Sequence, residues 1–339
     1  MMKVSSNASL VGKDIYASLV RRRIKVSLGL LLVMAVALLI PQVVENPYYL
    51  ALASETLIMI GLAVSWSIFS GLTGYISFGH ALFFGLGAYT TGLSMEKWGI
   101  SIEVALLCSV VLVGLVAFLM GLMTLRLKGH YFAIATLGVA EFARALVEWG
   151  SSFTHGVFGF PLPMDVVARS SHVKFYWIVI VTSASIAIGL KILWSAFGMR
   201  MVAIREDEIA TESLGINPSH AKIISLVISG SLTSLLGGLF AWTQGFVTPE
   251  EVFASRWSLE PVLMSILGGL GTLIGPIFGA IIFFLLPQVM IENHFILEKR
   301  DELYLVLVGV VMVLIMLLAK NGIVGILQKR KFWPKGFRL

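Results

Sequence analysis

Charge is scarce in this chain. Asp, Glu, Lys and Arg make up 13% of its 339 residues, where a soluble domain carries roughly 25%. With 58% hydrophobic residues and a mean hydropathy of +0.92, this excludes an ordinary soluble domain. Cysteine is nearly absent: Cys108 stands alone, which rules out an intrachain disulfide and a cysteine metal site. His155, His172, His220 and His294 are scattered among loops, and no His, Cys or carboxylate cluster has metal-ligand spacing. No Ser-His-Asp arrangement stands out, so no catalytic residues are assigned. The glycine-rich run GGLGTLIGP (268–276) lacks the Gly-x-x-x-x-Gly-Lys-Ser/Thr phosphate cradle, so the chain has no ATP site of its own. The net charge of +6 is that of a nucleic-acid binder, but its placement argues instead for cytoplasmic loops.

What the chain does have is long apolar runs. A span needs about 20 mostly apolar residues, and these occur at 24–44, 50–70, 75–95, 102–124, 131–149, 175–197, 222–246 and 303–320. Each is helical, because lipid offers the backbone no partner outside the segment. The run 24–44 follows a basic segment, 1–23, with no small-residue cleavage site after it, and reads as an uncleaved first helix. Residues 258–291 are too long for one span. Gly268, Gly269, Gly271, Gly275 and Pro276 interrupt them, which predicts a short helix at 259–268 and a longer one at 274–290. The expectation is an all-α polytopic bundle of about ten passages in one domain, 1–339. Alternating from Arg21–Lys25 inside, 18 of the 25 Lys and Arg fall on the cytoplasmic side, including the tail 321–339. Both termini then face the cytoplasm.

One stretch breaks the oily pattern. IREDEIATESLGINPSHAK (204–222) makes up most of a cytoplasmic loop, 198–221, and carries Arg205, Glu206, Asp207, Glu208 and Glu212. Residues 205–214 read as a short amphipathic helix with acids in its first turn, where the dipole favours them. Gly215 caps its C-terminus and Pro218 prevents continuation. Such an element is either a docking knob for a soluble partner or a solvated loop.

Three features suit a transport path. Glu141, Arg144 and Glu148 share one face of helix 131–149, either meeting a zwitterionic solute or pairing with each other. The glycine break at 268–275 is either a gate or a tight turn. Ser77 and His80 are polar groups in the third span, His80 being either a proton relay or a hydrogen-bonded structural residue. On the same helix Ser77, Ala81, Gly85, Ala88 and Gly92 form a small-residue face for close packing. The outer loop 150–174 reads as structured over the bundle.

The acidic loop resembles the coupling loop of ABC importer permeases, with Gly215 and one alanine matching the motif and the leading Glu displaced to Glu208. The run AIREDEIATESLGIN is similar to branched-chain amino-acid permeases of the M type. GLTGYISFGHALFFGLGAYT (71–90), LRLKGHYFAIATLGVAEFAR (125–144) and QGFVTPEEVFASRWSLEPVLMSILGGLGTLIGPIFGA (244–280) agree in order and spacing, so the resemblance covers most of 50–290. It implies a multi-pass permease subunit of the inner (plasma) membrane that imports Leu, Ile and Val and is not itself an enzyme. It also implies two cytoplasmic ATPases holding ATP-Mg, a second homologous permease, a periplasmic or surface-anchored binding protein and surrounding lipid. Glu206, Asp207, Glu208, Glu212 and Gly215 would sit in the ATPase groove. The rivals are a permease for urea or another small amide, and an ion-coupled secondary transporter, which would need intramembrane coupling carboxylates.

Overall fold

The computed structural model describes residues 37–42, 46–292, 309–310 and 322–324. Contacts divide the chain into two units, Met1–Leu50 and Ala51–Leu339. In the first, 37–42 form a helical turn and 47–50 begin a longer helix. The expected N-terminus 1–23, most of the spans 24–44 and 303–320, and the basic end of the tail lie outside the described residues.

The second unit is helical almost throughout. The long elements are α1 Pro47–Trp66, α2 His80–Trp98, α3 Ile102–Thr124, α4 His130–Trp149 and α5 Ser171–Leu193. They are followed by α6 Ala196–Glu206, α7 Glu208–Ser213, α8 Pro218–Gln244, α9 Arg256–Gly268 and α10 Ile274–Glu292. Helices thus occupy eight of the expected spans. Among the described residues, four helical segments are long and apolar enough to cross a membrane: Pro47–Gly71, Ile102–Thr124, Ser171–Leu193 and Pro218–Gln244. The chain is a multi-pass, all-α membrane protein.

The connections gather at two ends. At one end Glu96 pairs with His155 (2.9 Å) and Glu103 with Arg169 (3.6 Å). The loop 150–174 there is ordered, as the sequence suggests. It carries short helices at Ser151–Thr154 and Met164–Val167 and a strand β1, Phe160–Pro161, antiparallel to β2, Phe246–Val247. That two-residue pair lies in the connections, outside the long helices. It forms because Gly159, at φ 68°, turns the chain against the Val247 carbonyl. Trp242 Nε1 donates to the Val166 carbonyl (2.9 Å) and ties the loop to α8. At the other end lie the loop around α7, the turn after α1 and the α9–α10 turn, joined by contacts described below.

The third span departs most from expectation. A helix from residue 75 is predicted; α2 starts at His80, and 74–79 are not helical. Upstream, α1 runs into a π-helical turn, Ser67–Gly71, and Gly74 takes φ +76°. The unwound backbone reaches deep into the bundle. His80 meets Ser229, eleven residues past the start of α8 at Pro218, or about 16 Å along that helix. Irregular backbone at such depth needs partners inside the protein, and side chains supply them. Trp66 Nε1 donates to the Ser77 carbonyl (2.9 Å), Ser70 Oγ accepts from the Ser77 amide (3.2 Å), and Thr136 Oγ1 accepts from the Phe78 amide (3.1 Å). Ser258 Oγ donates to the Phe78 carbonyl (2.6 Å) and accepts from the Ala81 amide (2.8 Å). Ser77 therefore lies in this unwound segment, not on the helix face assigned to it.

α2 and α8 run parallel and nearly touch backbone to backbone. A Cβ on Gly87 would strike the Ser234 backbone, and one on Gly237 the Phe84 carbonyl. The predicted small face does a different job. Gly85 and Gly92 make room for the rings of Phe253 (2.5 Å from an added Cβ) and Phe160 (2.9 Å). The stripe assigned to helix contact thus receives aromatic side chains, and Gly87, one position out of register, makes the helix contact. Phe84 stacks on Trp257 with centroids 3.9 Å apart, closing α9 onto the same core.

Gly237→Ala should force α2 and α8 apart and lower stability by roughly 1–3 kcal/mol, the usual overpacking range. Gly138→Ala, whose added Cβ meets nothing within 4 Å, should leave the thermal midpoint level or raised. Thermal unfolding of the detergent-purified variants measures both, and equal midpoints would contradict the contact.

Candidate functional site

The acidic stretch folds as two helices, where one is predicted. α6 ends at Glu206 because Asp207 is extended, at φ −157° and ψ 108°. The Asp207 carboxylate then accepts from the Ile209 (2.9 Å) and Ala210 (3.0 Å) amides, an N-cap for α7. At the other end Gly215 takes φ +81°. The Ile216 amide bonds the Thr211 carbonyl (3.4 Å) and the Gly215 amide the Glu212 carbonyl (2.9 Å). That pairing is the Schellman arrangement, as the glycine suggests. Asn217 and Pro218 at once open α8, with Asn217 Oδ1 accepting from the His220 amide (3.2 Å). The turn is so closely capped at both ends that α7 has little freedom to fray.

The loop is bound to the bundle by charge. Glu208 points inward: its Oε1 accepts from Lys222 Nζ (2.8 Å) and its Oε2 from Tyr75 Oη (2.6 Å). Lys222 also donates to Tyr75 Oη (3.1 Å) and lies 4.3 Å from that ring's centroid. The Lys222 side chain is only 2% exposed, so its ammonium depends on these partners. Burial raises the Glu208 pKa, but hydrogen bonds from Lys222 and Tyr75 and the Lys222 charge outweigh it, holding the carboxyl below its ordinary value. A second tie comes from Arg205, whose Nη1 donates to the Gly71 carbonyl (3.2 Å) and whose Nη2 meets Glu206 Oε1 (3.0 Å).

What faces outward is a small mixed patch. Ile209 and Leu214 are 72% and 80% exposed, beside exposed Ala210, Glu212 and Ser213. The five residues assigned to the coupling surface therefore separate. Glu206 and Glu212 are exposed, Asp207 and Gly215 shape the ends of α7, and Glu208 anchors it from inside. Of the apolar residues that make the stretch amphipathic in sequence, Ile204 is buried while Ile209 and Leu214 face out. Met201 and Ile204 of α6 supply the buried apolar contacts.

The path candidates do not form one site. Arg144 pairs with Glu148 (2.8 Å), four residues on, and Glu141 reaches Ser255 Oγ at 3.4 Å. Glu141 is exposed on a face of α4 shared with Ile134 and Leu137. Gly268 and Gly275 face each other, an added Cβ on either meeting the other's backbone. Gly269 and Gly271 form the turn between α9 and α10 at φ 124° and 78°. Thr272 Oγ1 accepts from the Gly275 amide (3.0 Å) at the start of α10. His80 is fully buried. Ser229 Oγ donates to the Ser65 carbonyl (2.6 Å), so it accepts from His80 Nε2 (2.8 Å), which places a proton on Nε2.

Comparison with known proteins decides the family. A family profile described as branched-chain amino acid transport system, permease component, matches residues 48–316. The chain belongs to that permease family. It is 29% identical over 300 residues to the high-affinity branched-chain amino acid transport system permease protein LivM of Escherichia coli (strain K12), covering 80% of this chain and 69% of that protein. The probable branched-chain amino acid transport permease protein LivM of Methanocaldococcus jannaschii is 22% identical over 231 residues, 63% of this chain and 67% of its own. The autoinducer 2 import system permease protein LsrC of Yersinia pseudotuberculosis serotype O:1b is 28% identical over 249 residues, 70% of this chain and 67% of its own. No solved structure matches.

The buried pair yields an asymmetric prediction. Glu208→Ala strands the Lys222 ammonium, and breaking a buried pair from one side costs roughly 3–5 kcal/mol. Lys222→Met leaves a carboxylate that is 21% exposed and still bonded to Tyr75, so it should cost less. The double variant should resemble Lys222→Met. Because the folded carboxyl titrates below its unfolded value, the pair's contribution is complete above the ordinary carboxylate range. It fades as pH falls through the lowered value. Denaturant unfolding of the three variants between neutral and acid pH reads both effects, and equal losses in the single variants would refute the asymmetry.

Proposed function

We propose that this chain is a permease subunit of an ATP-driven ABC importer that moves branched-chain amino acids into the cytoplasm. The observation that carries the reading is α7: a doubly capped helix, locked from inside by Glu208 and Lys222, that presents Ile209 and Leu214 to the outside. Exposed aliphatic side chains on a rigid surface element suit a protein partner. Two cytoplasmic ATPases, carrying ATP-Mg, take α7 in this reading, with Glu206 and Glu212 flanking the apolar contact. The chain lies in the inner (plasma) membrane with ten passages and both termini cytoplasmic.

The face of α4 supports a paired permease. An exposed carboxylate at Glu141, well inside an apolar helix, is costly against lipid. A second homologous permease covering that face, with a hydrated path between the two, removes the penalty. Glu141, Arg144, Ser77, His80 and the break at Gly268, Gly269, Gly271 and Gly275 are the chain's candidate path and gate residues. A periplasmic or surface-anchored binding protein delivers the solute. The likeness to autoinducer 2 import permeases favours a second reading, in which the same machinery carries a different small solute.

Labelled leucine uptake into vesicles holding this chain with the products of its neighbouring transport genes tests the assignment. Uptake should require internal ATP and be blocked by unlabelled valine and isoleucine. ATP-dependent transport of urea or another solute alone would keep the coupling and move the substrate. Uptake indifferent to ATP but abolished by an ionophore would make the chain an ion-coupled transporter. Leu214→Asp should leave the permease folded and reduce co-purification of the ATPase about tenfold or more, since desolvating a charge at a contact centre costs more than 1.4 kcal/mol.

A further inference from the structure

The fold contains two interruptions at the same end: the unwound segment before α2 and the turn between α9 and α10. They are far apart in sequence and meet at one side chain. Arg205, in the last turn of α6, lies across both. Its Nη1 donates to the Gly71 carbonyl (3.2 Å), at the end of the π-helical turn. A Cβ on Gly74 would lie 2.7 Å from Arg205 Cγ, and one on Gly271 would strike Arg205 Nη1. A Cβ added to Gly71 would lie 3.9 Å from the Gly271 amide nitrogen, so the two segments are close neighbours. The arginine thus occupies a slot walled by three glycines, two from the first interruption and one from the second. Its side chain is 23% exposed, and Glu206 closes the open side.

Positive φ accounts for glycine at 74 and 271. It does not account for what fills the space those glycines leave. An arginine that only needed solvation would extend into water from a loop surface. One that only capped α1 would need the Gly71 carbonyl and nothing at Gly271. The planar guanidinium is wedged between two backbone segments while its stem runs along a third, so none of the three can shift without moving it. Glu208 and Tyr75 make a parallel tie to the first interruption alone. Arg205 is the described side chain that joins the loop to both.

We infer that Arg205 is a positioning residue that passes a displacement of α6 and α7 to both interruptions together. The inference rests on the proposed function for the source of that displacement, an ATPase acting on α7. The α9–α10 turn is the mobile end of this train. Gly269 and Gly271 provide backbone freedom, while Gly268 against Gly275 and Gly279 against Met264 keep the two helices in contact as a unit. A push on α6 therefore moves the α9–α10 hairpin as a body instead of unravelling it. The serine pair Ser67 and Ser265 (3.1 Å) is the next contact along the same seam, between the π-helical turn and α9.

Two measurements test this separately. In the first, amide hydrogen exchange is followed in the full chain in lipid nanodiscs. Arg205→Ala should speed exchange at residues 269–275 and 71–75 relative to wild type, with α3 unchanged. Unaltered exchange at 269–275 would overturn the inference whatever the transporter carries. In the second, the complete complex in vesicles is assayed for solute imported per ATP hydrolysed. Arg205→Ala should lower that ratio at least about fivefold, the lower end of ordinary coupling between sites, with assembly and basal ATP hydrolysis retained. A purely structural cap would lower abundance and leave the ratio intact, which would refute the role. Arg205→Lys keeps a cation beside Gly71 and loses the fork, so it should restore stability and only part of the ratio. Full restoration of both would assign the residue to charge alone. A wild-type complex that ignores ATP would refute the proposed function, while the exchange result would still decide whether Arg205 holds the two interruptions.

Discussion

Backbone that leaves the helix inside a membrane must bond within the protein, and this requirement organises most of the structure. Between Gly74 and His80 the chain gives up its own i to i−4 ladder. Trp66 and Ser70 at the end of α1, Thr136 on α4 and Ser258 on α9 supply its partners from three places in the sequence. All four are buried, and the three hydroxyls are otherwise out of place in an apolar bundle. The penalty for one unmatched peptide group in hydrocarbon is several kcal/mol, so these side chains define where α1, α4 and α9 stand around the unwound segment. The depth of α2 follows, and with it the parallel contact with α8.

The same demand explains the serines and threonines on α8. Ser225, Thr233 and Ser234 return their hydroxyls to carbonyls of their own helix. Ser229 breaks that habit and reaches the Ser65 carbonyl on α1, accepting from His80 in turn. One hydroxyl therefore joins α1, α2 and α8 at the level where α2 begins. Close approach at Gly87 and Gly237 makes such short cross-links geometrically available. Small residues bring the backbones together, and the hydroxyls then fix their register.

How much of this can be read in the sequence depends on whether a segment's fate is decided locally. Helix α3 occupies 102–124, the predicted range, because its apolar run is continuous and Ser101 and the loop after Thr124 bound it. Gly215 reads correctly as a cap, since αL geometry after a short helix is a local demand. Asp207 misleads: an acid at that point fits a helix's first turn or an N-cap equally well, and the extended backbone that decides between them is set by α6 packing through Ile204. Glu208 misleads for a different reason. Its partners Tyr75 and Lys222 lie 133 and 14 residues away, so nothing nearby shows that it turns inward. The unwound segment before α2 is the least legible of all. YISFGH carries no local break signal beyond one glycine, and the hydroxyl and indole groups that hold it open lie outside the segment.

Placing the acidic loop beside both interruptions has a mechanical consequence. A bundle of apolar helices packed at native density resists continuous deformation and moves by small shifts of whole elements. Elements can shift most readily where the helical ladder is already absent and the conformation is held by side chains. Here the loop that displays Ile209 and Leu214 is anchored on those two places, by Glu208 through Tyr75 and by Arg205 through Gly71 and Gly271. Were it anchored on the middle of α3 or α5, the same contacts would have only rigid rods to push against. The acids of the loop therefore divide the work: Glu212 faces out, Glu206 and Asp207 are engaged within the loop as the partner of Arg205 and the cap of α7, and Glu208 faces in and holds the loop to the unwound segment.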